Sequence, residues 1–210
     1  MTPTAPTLTD IRRNLAVHRP VILPVDRPHA AVALLLIDAH PVPEALFILR
    51  SRHERDPWSG DIGFPGGRVA KGETDPRLTA ERESAEELAI DLTATDYLGR
   101  LDDLYGATLP ILVSCFVYAH ADRPVLTPNH EVETTFWIPL DRLLDQRRHR
   151  LENFTYRGHP TTQPVADLLG PGEPLLWGIT YRLLRSFFNL LDRPFGLDRD
   201  SPLCPPPNSR

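Results

Sequence analysis

The sequence predicts an α+β fold, either open or arranged as an α/β/α sandwich, on three observations. Several short apolar runs read as strands, and few stretches carry helical periodicity. Strands and helices do not alternate regularly enough for a dinucleotide-binding fold. The one pair of consecutive glycines, Gly66-Gly67, lacks the GxGxxG spacing such a fold uses for phosphates. At roughly 100 to 200 residues per domain, the 210 residues imply one domain with extensions. The expected boundaries are an N-terminal extension with a short helix over 1–28, a main domain over 29–192 and a proline-rich tail over 193–210.

The elements follow in order. Thr9 is placed to cap a short helix running through Val17, with Ile11 and Leu15 on one face, before the proline-punctuated stretch 20–28. The apolar runs 30–37 (AAVALLLI) and 45–50 (ALFILR) read as paired strands across the turn-like HPVPE. Gly66-Gly67 interrupts any regular element. Asp75 as cap and Pro76 in the first turn then open a helix over 76–88, with Leu78, Ala85, Leu88 and Ala89 recurring at helical spacing. Residues 97–101, 111–118 and 133–138 read as strands, 140–144 as a helical turn, and the neighbourhood of Tyr156 as an edge strand. The amphipathic stretch 175–191 closes the domain as a helix, and a homodimer through it is an open expectation.

Composition narrows the function. Hydrophobic residues at 41% and charged residues at 24% suit a globular chain with a sizeable core. Lys and Arg number 23 against 28 Asp and Glu, for a formal charge of -5, which argues against nucleic acid as a partner. The two cysteines, Cys115 in an apolar run and Cys204 in the tail, form neither a disulfide framework nor a CxxC metal site. The first ten residues have neither a basic head nor an apolar stretch, and no window approaches the ~20 apolar residues of a membrane span. A cytoplasmic protein without membrane contact is expected.

The chemistry concentrates in GGRVAKGETDPRLTAERESAEELAI, residues 66–90. Positions three and four apart share a helix face, so Glu83, Glu86 and Glu87 bring three carboxylates to one small volume. Their repulsion is relieved by a hard divalent cation such as Mg²⁺ or Mn²⁺, which takes oxygen ligands. Glycines allow the backbone to approach an ion or phosphate closely, so that a peptide carbonyl can join the ligands. Arg82 has a rigid fork suited to orienting a neighbouring carboxylate.

This segment resembles the Nudix box: Gly, five residues, Glu, seven residues, Arg-Glu, an apolar residue, any residue, Glu-Glu, any residue, Gly, apolar. Gly67, Glu73, Arg82, Glu83, Glu86, Glu87 and Ile90 fill its defining positions. Eight residues instead of seven separate Glu73 from Arg82, Ser84 stands for the apolar residue and Ala89 for the final glycine. The longer spacing, and Phe64, Pro65, Gly66 and Gly67 leading into the box, resemble the coenzyme A pyrophosphatase branch. Arg50, Ser51, Arg55 and Gly60 reproduce part of that branch's upstream signature, with a longer Arg55-to-Gly60 interval and Ser59 where a His is often found.

The resemblance implies a Nudix-like sandwich with a mixed β-sheet that hydrolyses a diphosphate joined to another moiety, with Mg²⁺ or Mn²⁺ as cofactor. It implies Glu83, Glu86 and Glu87 as metal ligands with a carbonyl from Gly66 or Gly67, and Glu83 as a group that can orient or deprotonate water. Arg82 is implied as an orienting group, Glu73 as a structural acid, and Glu131 or Glu133 as a further acid. Arg50, Arg52 and Arg55 have guanidinium forks that can clamp phosphates. Trp58 and Phe64 can stack on a base, though Phe64 reads more naturally as packing. His53, His130 and His159 lack zinc spacing, Ser51 and Ser114 lack a nucleophile elbow, and Asp102-Asp103 reads as an exposed turn. Coenzyme A or an acyl-coenzyme A is the substrate the resemblance favours. ADP-ribose, NADH or a dinucleotide remain alternatives, as does a noncatalytic nucleotide-binding module.

Overall fold

The computed structural model describes residues 4–53, 58–107, 109–156 and 159–197. Helix α1 spans Leu8–Val17 and is capped by Thr7, not by Thr9 as the sequence suggested. Thr7 and Asp10 form a reciprocal box: the Thr7 hydroxyl accepts the Asp10 N–H, and the Asp10 carboxylate accepts the Thr7 N–H. That pairing satisfies two backbone donors at once, which a cap at Thr9 could not match. Leu8, Ile11 and Leu15 are buried in the main core, so the N-terminal extension packs onto the domain.

The central sheet is built from β1 (His29–Ile37), β2 (Glu44–Arg50), β3 (Ile62–Gly63), β4 (Gly66–Arg68), β5 (Asp96–Arg100), β6 (Leu104–Tyr105), β7 (Leu112–His120) and β8 (Val132–Pro139). It is mixed: β1 and β7 run parallel along the full length of both, while the remaining pairs are antiparallel. The expected pairing of β1 with β2 holds only at Leu36↔Ala45 and Ile37↔Glu44. Beyond that the two strands part. Segment 62–68 enters the gap, pairing with β2 through Ile62 and Gly63 and with β1 through Gly66, Gly67 and Arg68. Between them the Pro65 carbonyl accepts the Ala33 N–H at 2.9 Å, so the crossing leaves no break in the ladder there.

Strand alternation sends two sets of side chains in opposite directions. Leu34, Leu36, Phe47 and Leu49 face a layer that includes α1 and α4 (Gly178–Leu190). Ala33, Leu35, Leu46 and Ile48 face α2 (Pro76–Leu88), which contributes Ala80 and Leu88. The result is the expected α/β/α sandwich. The short α3 (Leu140–Leu143) follows β8, and β9 (His149–Tyr156) pairs antiparallel with β10 (His159–Ala166) in a separate two-stranded sheet. The strand expected near Tyr156 is therefore part of a hairpin.

Three local expectations are corrected. On α2, Leu78 is 49% exposed and Ala85 and Ala89 also face solvent, whereas Thr79, Ala80, Ser84, Glu87 and Leu88 are buried. The inner face is small and polar because it meets the alanine-rich stretch of β1, and Ser84 is satisfied by donating to the Ala80 carbonyl at 2.7 Å. Helix α4 begins at Gly178, since the Leu176 backbone pairs with Ala166 in both directions; Leu183, Leu184, Phe187 and Phe188 of α4 are buried within the chain. Finally, Asp102-Asp103 is no exposed turn. Asp102 accepts the Val21 N–H, while buried Asp103 accepts the Leu23 N–H, Arg100 and the Ser114 hydroxyl, tying down the stretch before β1. Among the described residues, no helix is long and apolar enough to cross a membrane. Cys204 and most of the proline-rich tail lie outside the described residues.

Candidate active site

The crossing of segment 62–68 through the split sheet lays Gly66 and Gly67 beneath α2. Gly66 has φ +150°, and a Cβ on it would run into the Ala31 carbonyl and the Val32 backbone. A Cβ on Gly67 would collide with the Glu83 carboxyl. The two glycines are therefore needed for different reasons, one for approach to β1 and the other for room beside a carboxylate. The Gly66 N–H donates to Glu87 Oε2 at 2.9 Å, fastening the crossing segment to the helix.

The three box carboxylates are unequal. The side chain of Glu87 is 1% exposed, that of Glu83 16% and that of Glu86 56%. Burial pushes the Glu87 carboxyl up to about 7, against the opposing pull of the Gly66 N–H and Arg50, and with Glu83 and Glu131 raising it further. Burial likewise raises Glu83, with Arg82 opposing and Glu86 and Glu131 reinforcing. Arg82 spans Glu83 at 2.9 Å and Glu86 at 3.1 Å, and so orients both. Glu73 accepts the Ala70 N–H at 3.1 Å and the Thr79 hydroxyl at 2.5 Å, pinning the loop before α2 to its first turn.

These groups open onto a cavity of about 670 Å³, within the ordinary size of small-molecule sites. Arg50, Gly67, Glu83, Glu86 and Glu131 line it. Arg50 Nη1 lies 3.4 Å from Glu87 Oε1. Glu131 is positioned by Asn129, whose side chain accepts its N–H, and by Ser51, which donates its own N–H to the Glu131 carbonyl. Glu133 does not line the cavity. Arg52 is exposed and does not line it either, because the chain has left β2 by that point. Arg55 lies outside the described residues. Phe64 belongs to the core, with its ring 5.3 Å from that of Phe47, and also lines the cavity.

Among the described residues, no three His, Cys, Asp or Glu side chains already converge as an ion cage, and Glu86 is paired with Arg82. The donor set nevertheless fits a hard divalent cation. Glu83 and Glu87 are raised first by burial and further by neighbouring acids, and Gly67, lacking a side chain, lets the Glu83 carboxyl lie against its backbone, which brings carboxylate and peptide oxygens together. A serine nucleophile finds no such support. Ser114 is fully buried, donates to Asp103 and meets His29 Nε2 at 2.8 Å, outside the cavity.

The NUDIX domain matches residues 27–158. The chain belongs to the Nudix family. It is 33% identical over 156 residues to the human mitochondrial coenzyme A diphosphatase NUDT8, an alignment covering 72% of this chain and 64% of that protein. The chain thus spans less than two thirds of that relative's length. It is 30% identical over 209 residues to the uncharacterized Nudix hydrolase NudL of Pectobacterium atrosepticum, covering 92% of this chain and all of that one. A MutT/nudix family protein from Enterococcus faecalis aligns with a TM-score of 0.54 at 13% identity, over 89% of this chain and 74% of that chain. That likeness is one of fold, and it agrees with the mixed-sheet sandwich.

Sequence reasoning missed one side of this Nudix cavity. Trp177, Ile179, Thr180 and Arg182 come from the start of α4, and Gly106 and Leu109 from the loop before β7. Trp177 donates its indole N–H to Asp61 at 2.9 Å, joining α4 to the loop that precedes the crossing segment. The available sequence signal was a tryptophan followed by glycine at the mouth of an amphipathic helix, too generic to separate from core packing.

Proposed function

We propose that this Nudix protein is a divalent-metal-dependent pyrophosphohydrolase acting on coenzyme A or an acyl-coenzyme A. Water is added across the diphosphate, and the P–O–P bond breaks to release 3′,5′-ADP and 4′-phosphopantetheine or its acylated form. The observation that carries the reading is a cavity lined by Gly66-Gly67, Glu83, Glu86, Arg50 and Glu131, with buried Glu87 directly behind it on the Gly66 N–H. Glu83, Glu86, Glu87 and a carbonyl of the glycine pair, Gly67 in particular, would hold Mg²⁺ or Mn²⁺. Such an ion supplies neutralisation of the diphosphate oxygens and acidification of water.

The chain's own groups have distinct tasks in this reading. Arg50 receives a phosphate oxygen through its fork. Arg82 keeps Glu83 aimed at the glycine pair. Glu83 and Glu131 are the acids available to orient the attacking water and accept its proton. Coenzyme A is favoured over other diphosphates by the longer box spacing, by FPGG, and by the similarity to NUDT8. One observation favours a different nucleoside diphosphate derivative: Ser59 accepts the His53 N–H at 2.7 Å and so acts as a loop staple where the branch often has a His.

The test is hydrolysis of coenzyme A, acetyl-coenzyme A, ADP-ribose, NADH and diadenosine polyphosphates with Mg²⁺ or Mn²⁺, with products resolved by chromatography. Production of 3′,5′-ADP at the highest kcat/KM supports the proposal. Preference for another compound retains Nudix chemistry and rejects coenzyme A. Binding of nucleotide with no turnover of any compound indicates a noncatalytic module.

A further inference from the structure

The cavity has a second chemistry besides its carboxylates. From α4 and the loop before β7, Leu109 and Ile179 add apolar lining, Trp177 precedes the helix, and Arg182 adds a positive charge, while Trp58 comes from the loop before β3. The Trp177 indole N–H is held by Asp61 at 2.9 Å. Arg182 is partly buried and donates to the Tyr105 carbonyl. Among the described residues it has no carboxylate partner, and the charged group acting on it is Arg185, of the same sign. Burial and that neighbour both push its guanidinium below its ordinary value.

A partly desolvated guanidinium without a counter-ion is unfavourable, and an arriving anion relieves it. The diphosphate itself is accounted for by the proposed cation site and Arg50. We propose that Arg182 receives a second phosphate of the substrate, a monoester separate from the diphosphate linkage. This rests on the cavity being a diphosphate-hydrolysing site. In coenzyme A the group is the 3′-phosphate of the ribose. The carboxylates lining the same cavity would repel such a phosphate, so the cation at Arg182 decides where the substrate's remaining negative charge lies and which way round the substrate binds. Arg182 becomes the specificity-determining residue for 3′-phosphorylated substrates.

The experiment compares kcat/KM for coenzyme A and 3′-dephospho-coenzyme A, with Mg²⁺, in the full chain and in Arg182→Ala and Arg182→Lys. The wild type should prefer coenzyme A. Arg182→Ala should shrink that preference at least tenfold, mainly through KM for coenzyme A, and Arg182→Lys should restore part of it. An unchanged ratio overturns the proposal, including the case in which both substrates lose equally, which is the signature of an arginine that merely fastens the Tyr105 loop. Wild-type indifference between the two substrates overturns it without any variant.

If neither compound is hydrolysed, the substrate assignment fails separately, and calorimetric titration of 3′,5′-ADP against 5′-AMP decides the matter. A wild-type preference for 3′,5′-ADP that disappears in Arg182→Ala supports the site. Equal affinity, or no binding of either nucleotide, overturns it.

Discussion

At Glu87, a backbone N–H, an arginine and two acids compete over one buried carboxyl. Glu87→Gln retains an oxygen to accept the Gly66 N–H while removing the charge. Thermal melts of the metal-free protein at pH 8 should show stability equal to or above wild type, whereas Mg²⁺-dependent kcat/KM should fall by ~100-fold or more. Glu86→Gln, at an exposed position, should also melt near wild type and lose metal-dependent turnover; full activity would remove Glu86 from the ligand set. The pH dependence has a definite sign. The folded chain holds the Glu87 proton more tightly than the unfolded chain, so this group's contribution to stability is fully present below the ordinary glutamate value of 4.5 and is lost as pH rises through about 7. Since a cation requires the ionised form, Mg²⁺ affinity should tighten between pH 6 and pH 8 with proton release, measurable by calorimetry in buffers of different ionisation enthalpy. The i, i+3, i+4 spacing made the carboxylate cluster legible in the sequence. Its gradation from 1% to 56% exposed was not legible, because it depends on which side of α2 meets β1.

Helix α2 ends at an element boundary where sequence and geometry disagree. Ala89 adopts φ 58° and ψ 33°, the left-handed conformation that glycine occupies at helix ends without steric penalty. The departure noted in the box, alanine for the final glycine, thus falls where backbone strain is expected. Ala89→Gly should stabilise the fold by about 0.5–1 kcal/mol, readable as a shift in denaturant midpoint without a change in slope. The cap at Asp75 and Pro76 was legible because both residues act locally, with the Asp75 carboxylate accepting the Arg77 N–H at 2.9 Å. The inward face of α2 was misread because Leu78 and Ala85 look apolar, yet the alanines of β1 admit Thr79, Ser84 and a carboxylate. The splitting of β1 from β2 was also hidden, since each run reads as an ordinary strand and only their common neighbour reveals the gap.

Across the whole molecule, the 1–28 extension and the active-site sheet share one core. Ile11 is fully buried with Leu34, Leu36 and Val117 in that core. Ile11→Ala should cost about 2–4 kcal/mol in chemical denaturation. The fold class was legible because apolar runs and helical stretches do not alternate. The full cavity was not, since Trp58, Gly106 and Arg182 are distant in sequence and meet only after the layers pack. The crossing segment in the split sheet leads to a further consequence. Its peptides are tied at once to β1, to β2 and to Glu87, so Gly66 and Gly67 cannot shift without breaking sheet pairing. Leu109, Ile179 and Arg182 belong to α4 and the loop before β7, outside that ladder, so a different substrate perimeter can be fitted there while the crossing stays undisturbed.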